Sequence, residues 1–214
     1  MKIPTQETKP PKNIHCLALN YPGVSGSDAT DPPLYFVKSA SCFSPNGGVI
    51  SAPKISGRFW TECELGIVLT KGCFSVSADD AWQYIKGFVI CGDLTCDNIN
   101  EHDHHLAYSK SRYGFCPVSG QSKMLSMDDL DSAVLETYIN GELKQSGKLS
   151  DAKLNVAESL AYISSITRLE SDDLILTGTP LGWENCILNP GDSVRQLITG
   201  LIDLEYTIKD LTIE

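Results

Sequence analysis

Apolar residues along the chain fall mostly into short runs separated by glycine, proline and polar residues. Such runs, rich in β-branched residues and bounded by turn formers, predict β-strands. A hairpin is clear where Asn140-Gly141 separates a strand over 134–139 from a returning strand over 142–145. We predict about nine strands in all, on the pattern of the apolar runs. The fold class is therefore α+β and β-rich, without the alternating order of a doubly wound sheet.

Helical patterns are fewer, and we predict two or three helices. Apolar residues recur every three or four positions over 155–169, which predicts an amphipathic helix. Residues 77–80, a serine followed closely by two aspartates, are typical of a helix N-terminus, so a second helix is predicted to about Lys86. Residues 97–108 are polar and mixed, and we predict a short exposed helix or a mobile cover there.

Two glutamates stand at the entrance of the apolar run over 64–69. Because side chains alternate between the two faces of a strand, Glu62 and Glu64 point the same way. Such carboxylates repel each other unless a cation lies between them or both face water. Asp93 closes the apolar run over 88–92 and is the natural third carboxylate, since an acid at the end of a buried strand needs a partner or solvent. The three acids predict a metal site, and a solvent-facing strand edge is the alternative.

Length and charge narrow the range of partners. The 214 residues are enough for one sizeable domain, which we place at 13–214 after a polar, proline-bearing arm over 1–12. The formal net charge of -10 disfavours nucleic acid and anionic membranes as partners and leaves small molecules or proteins.

Irregular spacing of the eight cysteines and the lack of an apolar secretory segment predict reduced thiols in the cytoplasm. No apolar stretch approaches the roughly 20 residues of a membrane span.

A set of short motifs runs in order along nearly the whole chain from about residue 13: Leu19-Asn20-Tyr21, Pro33-Leu34-Tyr35-Phe36-Val37-Lys38, Glu62-Cys63-Glu64-Leu65, Gly92-Asp93-Leu94-Thr95, Lys110-Ser111, Asn140-Gly141-Glu142, Thr177-Gly178-Thr179-Pro180-Leu181-Gly182 and Pro190-Gly191-Asp192. Each is weak alone, but the ordered set resembles the C-terminal catalytic domain of the fumarylacetoacetate hydrolase family, as found in its small single-domain bacterial members. The resemblance implies a mixed β-roll with a few short helices, usually assembled as a homodimer.

The resemblance also implies a metal centre. Its ligands would be Glu62, Glu64 and Asp93, the three carboxylates that the strand pattern already selects. All-oxygen ligation suits a hard ion, so Mg²⁺ is expected, with Mn²⁺ or Ca²⁺ as alternatives.

Four further residues match positions that bind substrate or act on it in the family. Lys110 falls on the active-site lysine, whose ammonium would stabilise developing negative charge. Thr179, with the neighbouring Gly178, would meet the acid group of the substrate. Lys38 would contribute positive potential at the entrance of the site.

The implied activity is enolate chemistry on a small molecule. Family substrates are 2-oxo acids and 1,3-dicarbonyl compounds, whose oxygens chelate the ion. We therefore expect a metal-dependent hydrolase or lyase acting on a small 2-oxo acid or acylpyruvate-like compound. The alternatives are an isomerase or hydratase of dienol acids in aromatic catabolism, and a family member that has lost catalysis and serves as a binding protein.

The chain departs from the family pattern at two positions that bear on activity. Val24 stands where many hydrolytic and decarboxylating members carry a histidine that works as the base. Asp97 replaces an arginine that normally contacts substrate, and we expect this carboxylate to repel an anionic substrate. His102, His104 and His105 could supply a base if their segment folds over the site; the alternative is a solvated helix face.

Overall fold

The computed structural model describes residues 9–24, 28, 30–55, 57–98 and 103–210. The first part of the predicted arm therefore lies outside the described residues. Within them the chain forms twelve strands and three short α-helices. The strands are β1 (Ile14–Ala18), β2 (Leu34–Lys38), β3 (Phe43–Pro45), β4 (Gly48–Ser51), β5 (Phe59–Leu69), β6 (Ile85–Cys96), β7 (Cys116–Val118), β8 (Val134–Ile139), β9 (Glu142–Lys148), β10 (Leu174–Leu176), β11 (Ser193–Ile198) and β12 (Leu204–Lys209). The helices are α1 (Ala107–Lys110), α2 (Met127–Ser132) and α3 (Val156–Ile166).

The strands form two sheets. The larger has seven strands in the order β2-β1-β10-β5-β6-β7-β3, and the smaller has five in the order β4-β12-β11-β8-β9. Both contain parallel and antiparallel pairs, for example β1 parallel to β10 and β12 parallel to β4. The long strands β5 and β6 pair antiparallel at the centre of the larger sheet. The prediction of a β-rich α+β fold with a few short helices is confirmed.

The core has two parts. The main cluster lies between the sheets and joins Leu65 and Ile67 of β5 to Leu135 of β8. A smaller cluster on the other face of the seven-stranded sheet includes Cys16 and Val89. Burying each large apolar side chain stabilises the fold by roughly 1.5–3 kcal/mol. All eight cysteines are free thiols, as the sequence predicts, and seven are buried.

The two predicted helices have different outcomes. Helix α3 is confirmed over most of its predicted length, and a capping box between Asn155 and Glu158 fixes its start. The helix predicted from residue 77 to Lys86 is wrong: a single 3₁₀ turn over Ala81–Tyr84 leads directly into β6. Pairing with the long strand β5 decides this segment, because tertiary pairing overrides a local capping signal. No described helix is long and apolar enough to cross a membrane.

Asp173, just before β10, ties the amino-terminal strand to the rest of the sheet. Its carboxylate is buried and accepts hydrogen bonds from the side-chain amide of Asn13 at 2.8 Å and from the backbone N–H of Glu170 at 2.7 Å. The ring Nε2 of His15 lies 3.3 Å away. Burial alone raises the pKa of Asp173, but the hydrogen bonds from His15, Glu170 and Asn13 outweigh it, so this pKa lies below its usual value.

We expect Asp173→Asn to lower the free energy of unfolding at neutral pH by about 1–3 kcal/mol, because an amide nitrogen would face donors. A depressed pKa stabilises the fold fully above the pKa of an unfolded aspartate, about 3.9, and this stabilisation is lost as pH falls through the folded value. The difference between the variant and the wild type should therefore shrink below about pH 4. Urea unfolding from pH 3 to 7 measures it, with the exposed Asp172→Asn as control. A difference that stays constant with pH would contradict the expectation.

Candidate metal centre and its cavity

The three predicted ligands lie together on the outer face of the seven-stranded sheet. In the antiparallel register of β5 and β6, Glu62 lies opposite Asp93 and Glu64 lies opposite Cys91. Alternation sends Cys63 and Leu65 into the main core and leaves the glutamates on the other face. One oxygen from each of the three carboxylates lies within 4.8 Å of the others. Such a group can hold a divalent metal ion.

The acids stand within their strands and not at the strand ends that the sequence suggests. β5 begins at Phe59, before the glutamates, and β6 continues past Asp93 to Cys96. Both strands extend because their polar residues face the site while every second residue remains in the core. The consequence is burial: Glu64 and Asp93 are nearly inaccessible to solvent, and Glu62 retains about 15% side-chain exposure.

A backbone amide orients Glu64. The N–H of Gly178 donates a hydrogen bond to Oε2 of Glu64 at 2.5 Å. Gly178 follows the end of β10 with φ +91°, a left-handed conformation that favours glycine and turns the amide toward the carboxylate. Burial raises the pKa of Glu64, and the negative charges of Asp93 and Glu62 raise it further. A divalent cation among the three carboxylates would remove this electrostatic penalty.

Two lysines contact the carboxylates. Nζ of Lys110 lies 2.6 Å from Oδ2 of Asp93 and 3.1 Å from Oε2 of Glu62, and it also donates to Oγ1 of Thr95 at 2.8 Å. Lys38 forms an ion pair with the other oxygen of Asp93. Burial raises the pKa of Asp93, but Lys110 and Lys38 outweigh it and hold this pKa below its usual value. When all three carboxylates are ionised, they and the two ammonium groups leave one negative charge, and a bound cation would favour that ionised state.

Lys38 does not stand at the entrance, where the sequence analysis places it. Lys38 is only 1% exposed, and its Nζ donates to the carbonyl of Phe115 at 2.8 Å as well as to Asp93. It ends β2 with its side chain directed into the sheet, where the buried Asp93 compensates its charge. Lys38 therefore contacts a carboxylate of the group without lining the cavity.

Lys110 is the last residue of helix α1. The carboxylate of Asp103 accepts hydrogen bonds from the N–H and the hydroxyl of Ser109, one residue before the lysine. Burial lowers the pKa of Lys110, but Asp93 and Glu62 outweigh this effect and raise it above its usual value. The ammonium is therefore charged at neutral pH.

A hydrogen-bonded chain that the sequence did not reveal fixes the hydroxyl of Thr179. The amide nitrogen of Gln145 donates to the carbonyl of Pro180 and to Oγ1 of Thr179, both at 2.9 Å. Thr137 donates to the amide oxygen of Gln145 at 3.1 Å. Since the Pro180 carbonyl only accepts, the orientation of the Gln145 amide is determined. Thr179 must accept from it, so the threonine's own proton can be donated into the cavity.

The carboxylates line one end of a cavity of about 230 Å³, together with Lys110, Gly178 and Thr179. Val24, at the position of the family histidine, also lines this cavity. His104 and His105 are exposed and do not line it, whereas His102 lies outside the described residues. A larger cavity of about 690 Å³ does not contain the three carboxylates. The smaller cavity is therefore the candidate site.

Residues 97–108 contribute to this cavity in part. Asn98 and Leu106 line it, while residues 99–102 lie outside the described part of the chain. Among the described residues of this segment, 97–98 and 103–108, only Ala107 and Tyr108 are helical, as the start of α1. A cover over the site stays a prediction.

Asp97 is neutralised by a partner that the sequence analysis does not identify. It accepts hydrogen bonds from the backbone N–H of Arg58 at 2.6 Å and from its Nη2 at 2.9 Å. These bonds hold the pKa of Asp97 below its usual value. Because Asp97 does not line the cavity and its charge is paired, the expected repulsion of an anionic substrate is not supported by its position.

Two tryptophans at the site were also missed. Nε1 of Trp60 donates to Oε1 of Glu62 at 2.8 Å, and the Trp60 ring stacks on Trp183 with centroids 5.3 Å apart. The signal for Trp60 was present, since it lies two residues before Glu62 and shares its strand face. No sequence signal points to Trp183, which lies 123 positions away on a 3₁₀ turn.

Comparisons with known proteins identify the family of the chain. The model of the fumarylacetoacetate (FAA) hydrolase C-terminal domain matches residues 13–209. The mitochondrial oxaloacetate tautomerase of Bos taurus is 29% identical over 205 residues, covering 92% of each chain. The structure of 2-hydroxyhepta-2,4-diene-1,7-dioate isomerase from Mycobacterium marinum superposes with a TM-score of 0.84 at 27% identity, over 95% of this chain and 77% of that one.

A third comparison supports the fold. The fumarylpyruvate hydrolase of Pseudomonas aeruginosa, solved with Mn²⁺ and pyruvate, superposes with a TM-score of 0.87 at 23% identity, over 97% of this chain and 94% of that one. The chain therefore belongs to the fumarylacetoacetate hydrolase family, and the resemblance seen in the sequence is confirmed. Its relatives are named as a tautomerase, an isomerase and a hydrolase, so the family is one of enzymes with several reactions on one fold.

Proposed function

We propose that the protein is a metal-dependent tautomerase or isomerase that interconverts the keto and enol forms of a small 2-oxo acid. The observation that supports this proposal is the composition of the cavity: three carboxylates and one ammonium at one end, and Val24 at the position of the family base. Hydrolysis or decarboxylation, which the sequence analysis places first, is less favoured on the same ground.

Each residue has a role in this reaction. Glu62, Glu64 and Asp93 would hold the ion, Mg²⁺ by our expectation, which acts as a Lewis acid on the 2-oxo group when bound. The charged ammonium of Lys110 stabilises negative charge that develops on the enolate oxygen. Thr179, whose oxygen accepts from Gln145, donates its proton to the carboxylate of the substrate.

Among the described residues, the cavity contains no positioned base besides the three ligands, and this separates the candidate reactions. Hydrolysis needs an activated water, but the described residues lining the cavity include no histidine and no carboxylate besides the three ligands. Keto–enol exchange needs only a proton transfer at carbon. Water can carry this proton, at a rate about 10²–10⁴-fold below that with a positioned base.

Tautomerisation predicts a specific assay result. The purified protein should speed the decay of ultraviolet absorbance of a 2-oxo acid enol, such as enol-phenylpyruvate, when Mg²⁺ or Mn²⁺ is present, and EDTA should abolish the effect. Chromatography of the products should show no cleavage of acetylpyruvate under the same conditions. Metal-dependent cleavage of acetylpyruvate would instead assign the protein to the hydrolases, and equal rates with and without EDTA would refute the metal-dependent function.

Assembly and location also belong to this proposal. We expect a homodimer acting on a small molecule in the cytoplasm, without nucleic acid or membrane as partner. Light scattering after size-exclusion chromatography tests the dimer, because a mass near 23.3 kDa would indicate a monomer.

A further inference from the structure

The geometry points to a subsite for an uncharged apolar group next to the three carboxylates, formed by Trp60 and Trp183. This inference rests on the proposed function and narrows its substrate class. The substrate would be a 2-oxo monocarboxylic acid with a neutral alkyl or aryl group, and not a dicarboxylic acid such as the oxaloacetate in the name of the Bos taurus relative.

The order of side chains along β5 sets the direction in which a substrate extends. Glu64, Glu62 and Trp60 lie on the same face at successive alternate positions. Alternate residues in a strand are roughly 6–7 Å apart. A ligand held at the glutamates therefore lies next to the indole of Trp60, whose Nε1 is 2.8 Å from Oε1 of Glu62.

The indole pair is rigid. Its hydrogen bond to Glu62 fixes the Trp60 ring, which is only 8% exposed, and the ring of Trp183 stacks on it at an interplanar angle of 30°. Both rings line the cavity, whose lining also includes the apolar residues Leu19, Val24 and Leu106. A flat or branched apolar group fits between such surfaces and gains from leaving water.

A second carboxylate on the substrate would lack a cation. Among the described residues that line the cavity, Lys110 is the only lysine or arginine, and it already contacts Asp93, Glu62 and Thr95. The internal stretches outside the described residues, 25–27, 29, 56 and 99–102, contain no lysine or arginine in the sequence. A buried carboxylate without a charged partner is strongly disfavoured.

The guanidinium that lies over the Trp60 ring is committed to another acid. Arg58 lies over the Trp60 ring, 5.5 Å from its centroid, but it does not line the cavity. Its Nε and Nη2 both donate to Asp97. Arg58 could reach a substrate carboxylate only by breaking this bidentate pair and leaving Asp97 unpaired. The pair therefore maintains the neutral character of the subsite.

Calorimetry with non-reactive ligands tests the subsite in the Mn²⁺-loaded protein. N-oxalylglycine and N-isobutyloxamate share the oxalyl group that chelates the ion and have side groups of similar shape, but only the former ends in a carboxylate. We expect N-isobutyloxamate to bind about tenfold or more tightly than N-oxalylglycine, because the extra carboxylate would be buried without a cation. Oxalate, which lacks a side group, serves as the reference ligand.

Variants of aromatic residues test which side chains bind the apolar group of N-isobutyloxamate. Trp183→Ala should lower the affinity for N-isobutyloxamate relative to that for oxalate by about fivefold or more, since it removes one aromatic wall. Trp183→Phe should restore most of this ratio. Tyr113→Ala, which removes an aromatic side chain of a residue 87% exposed and outside the cavity, should leave the ratio unchanged.

The outcomes separate this inference from the function on which it rests. If oxalate does not bind with Mn²⁺, the proposed function fails and the subsite fails with it. If oxalate binds but N-oxalylglycine binds as tightly as N-isobutyloxamate, the proposed function stands and the subsite is refuted. An unchanged ratio in Trp183→Ala would likewise refute the role of Trp183.

Discussion

Replacing Glu64 with glutamine is expected to weaken Mn²⁺ binding by about 100-fold or more and to remove metal-dependent turnover. Loss of a partner that merely supports a ligand already costs about 10–100-fold in metal affinity, and Glu64 is itself a candidate ligand. The amide keeps the shape of the side chain, and its oxygen can still accept the N–H of Gly178. The negative charge is lost and one carboxylate oxygen becomes an NH₂ group that cannot bind the ion, so calorimetry with Mn²⁺, with and without oxalate, measures the contribution of the Glu64 carboxylate.

The melting temperature of Glu64→Gln without metal provides an independent test of the role of this carboxylate. Burial raises the pKa of Glu64, and the negative charges of Asp93 and Glu62 raise it further. Glu64→Gln should therefore melt no lower than the wild type without metal, yet gain less from added Mn²⁺. Glu142→Gln, in the exposed hairpin with a side chain 74% exposed, should bind and melt like the wild type. Wild-type Mn²⁺ affinity in Glu64→Gln would remove Glu64 from the ligand set.

The clustering of the three carboxylates was predictable from the sequence because it depends on local geometry. Strand alternation alone places Glu62 and Glu64 on one face, and an acid following an apolar run made Asp93 their natural partner. The strand ends were less predictable, since β6 continues through Asp93 only because β5 pairs with it along its length. The sequence pattern therefore brings the three carboxylates together but places them at the ends of their strands.

The partners of individual charges could not be predicted, because they depend on contacts between distant positions. Asp97 looks like an unpaired charge reversal in the sequence, but the antiparallel pairing of β5 with β6 brings Arg58 against it from 39 positions away. Lys38 belongs to a recognisable motif, but only the fold shows that Asp93 holds it below the cavity. Gln145 carried no signal because its contact with Thr179 spans 34 positions.

The wrong helix illustrates how a local signal can be outweighed. The serine and aspartates over 77–80 do form a turn, in which the hydroxyl of Ser77 accepts the N–H of Asp80 at 3.2 Å. That turn supports a 3₁₀ helix of four residues, after which Ile85 joins the sheet. The residues that follow gain more from pairing with β5 and burying Phe88 and Ile90 than from extending a short helix.

The second large effect is expected from Lys110→Met, which should lower turnover by about 10²–10³-fold, the usual effect of removing one group that stabilises transition-state charge. The affinity for Mn²⁺ should increase in the same variant, although its turnover falls. The ammonium lies 2.6 Å from Asp93 and 3.1 Å from Glu62, so its loss removes a positive charge that repels the ion. Mn²⁺ affinity should therefore rise, and Mn²⁺ should raise the melting temperature of this variant more than that of the wild type.

Lys38→Met separates a catalytic charge from a structural one. Lys38 contacts Asp93 and the Phe115 carbonyl but does not reach the cavity, so its replacement should mainly destabilise the fold, by about 3–5 kcal/mol for breaking a buried ion pair. Any Lys38→Met protein that remains folded should keep most of its turnover.

Two results would contradict the expectations for Lys110. If Lys110→Met binds Mn²⁺ more weakly than the wild type, the Lys110 ammonium supports the three carboxylates and does not compete with the ion. Full turnover in Lys110→Met would show that the enolate charge is stabilised without this lysine.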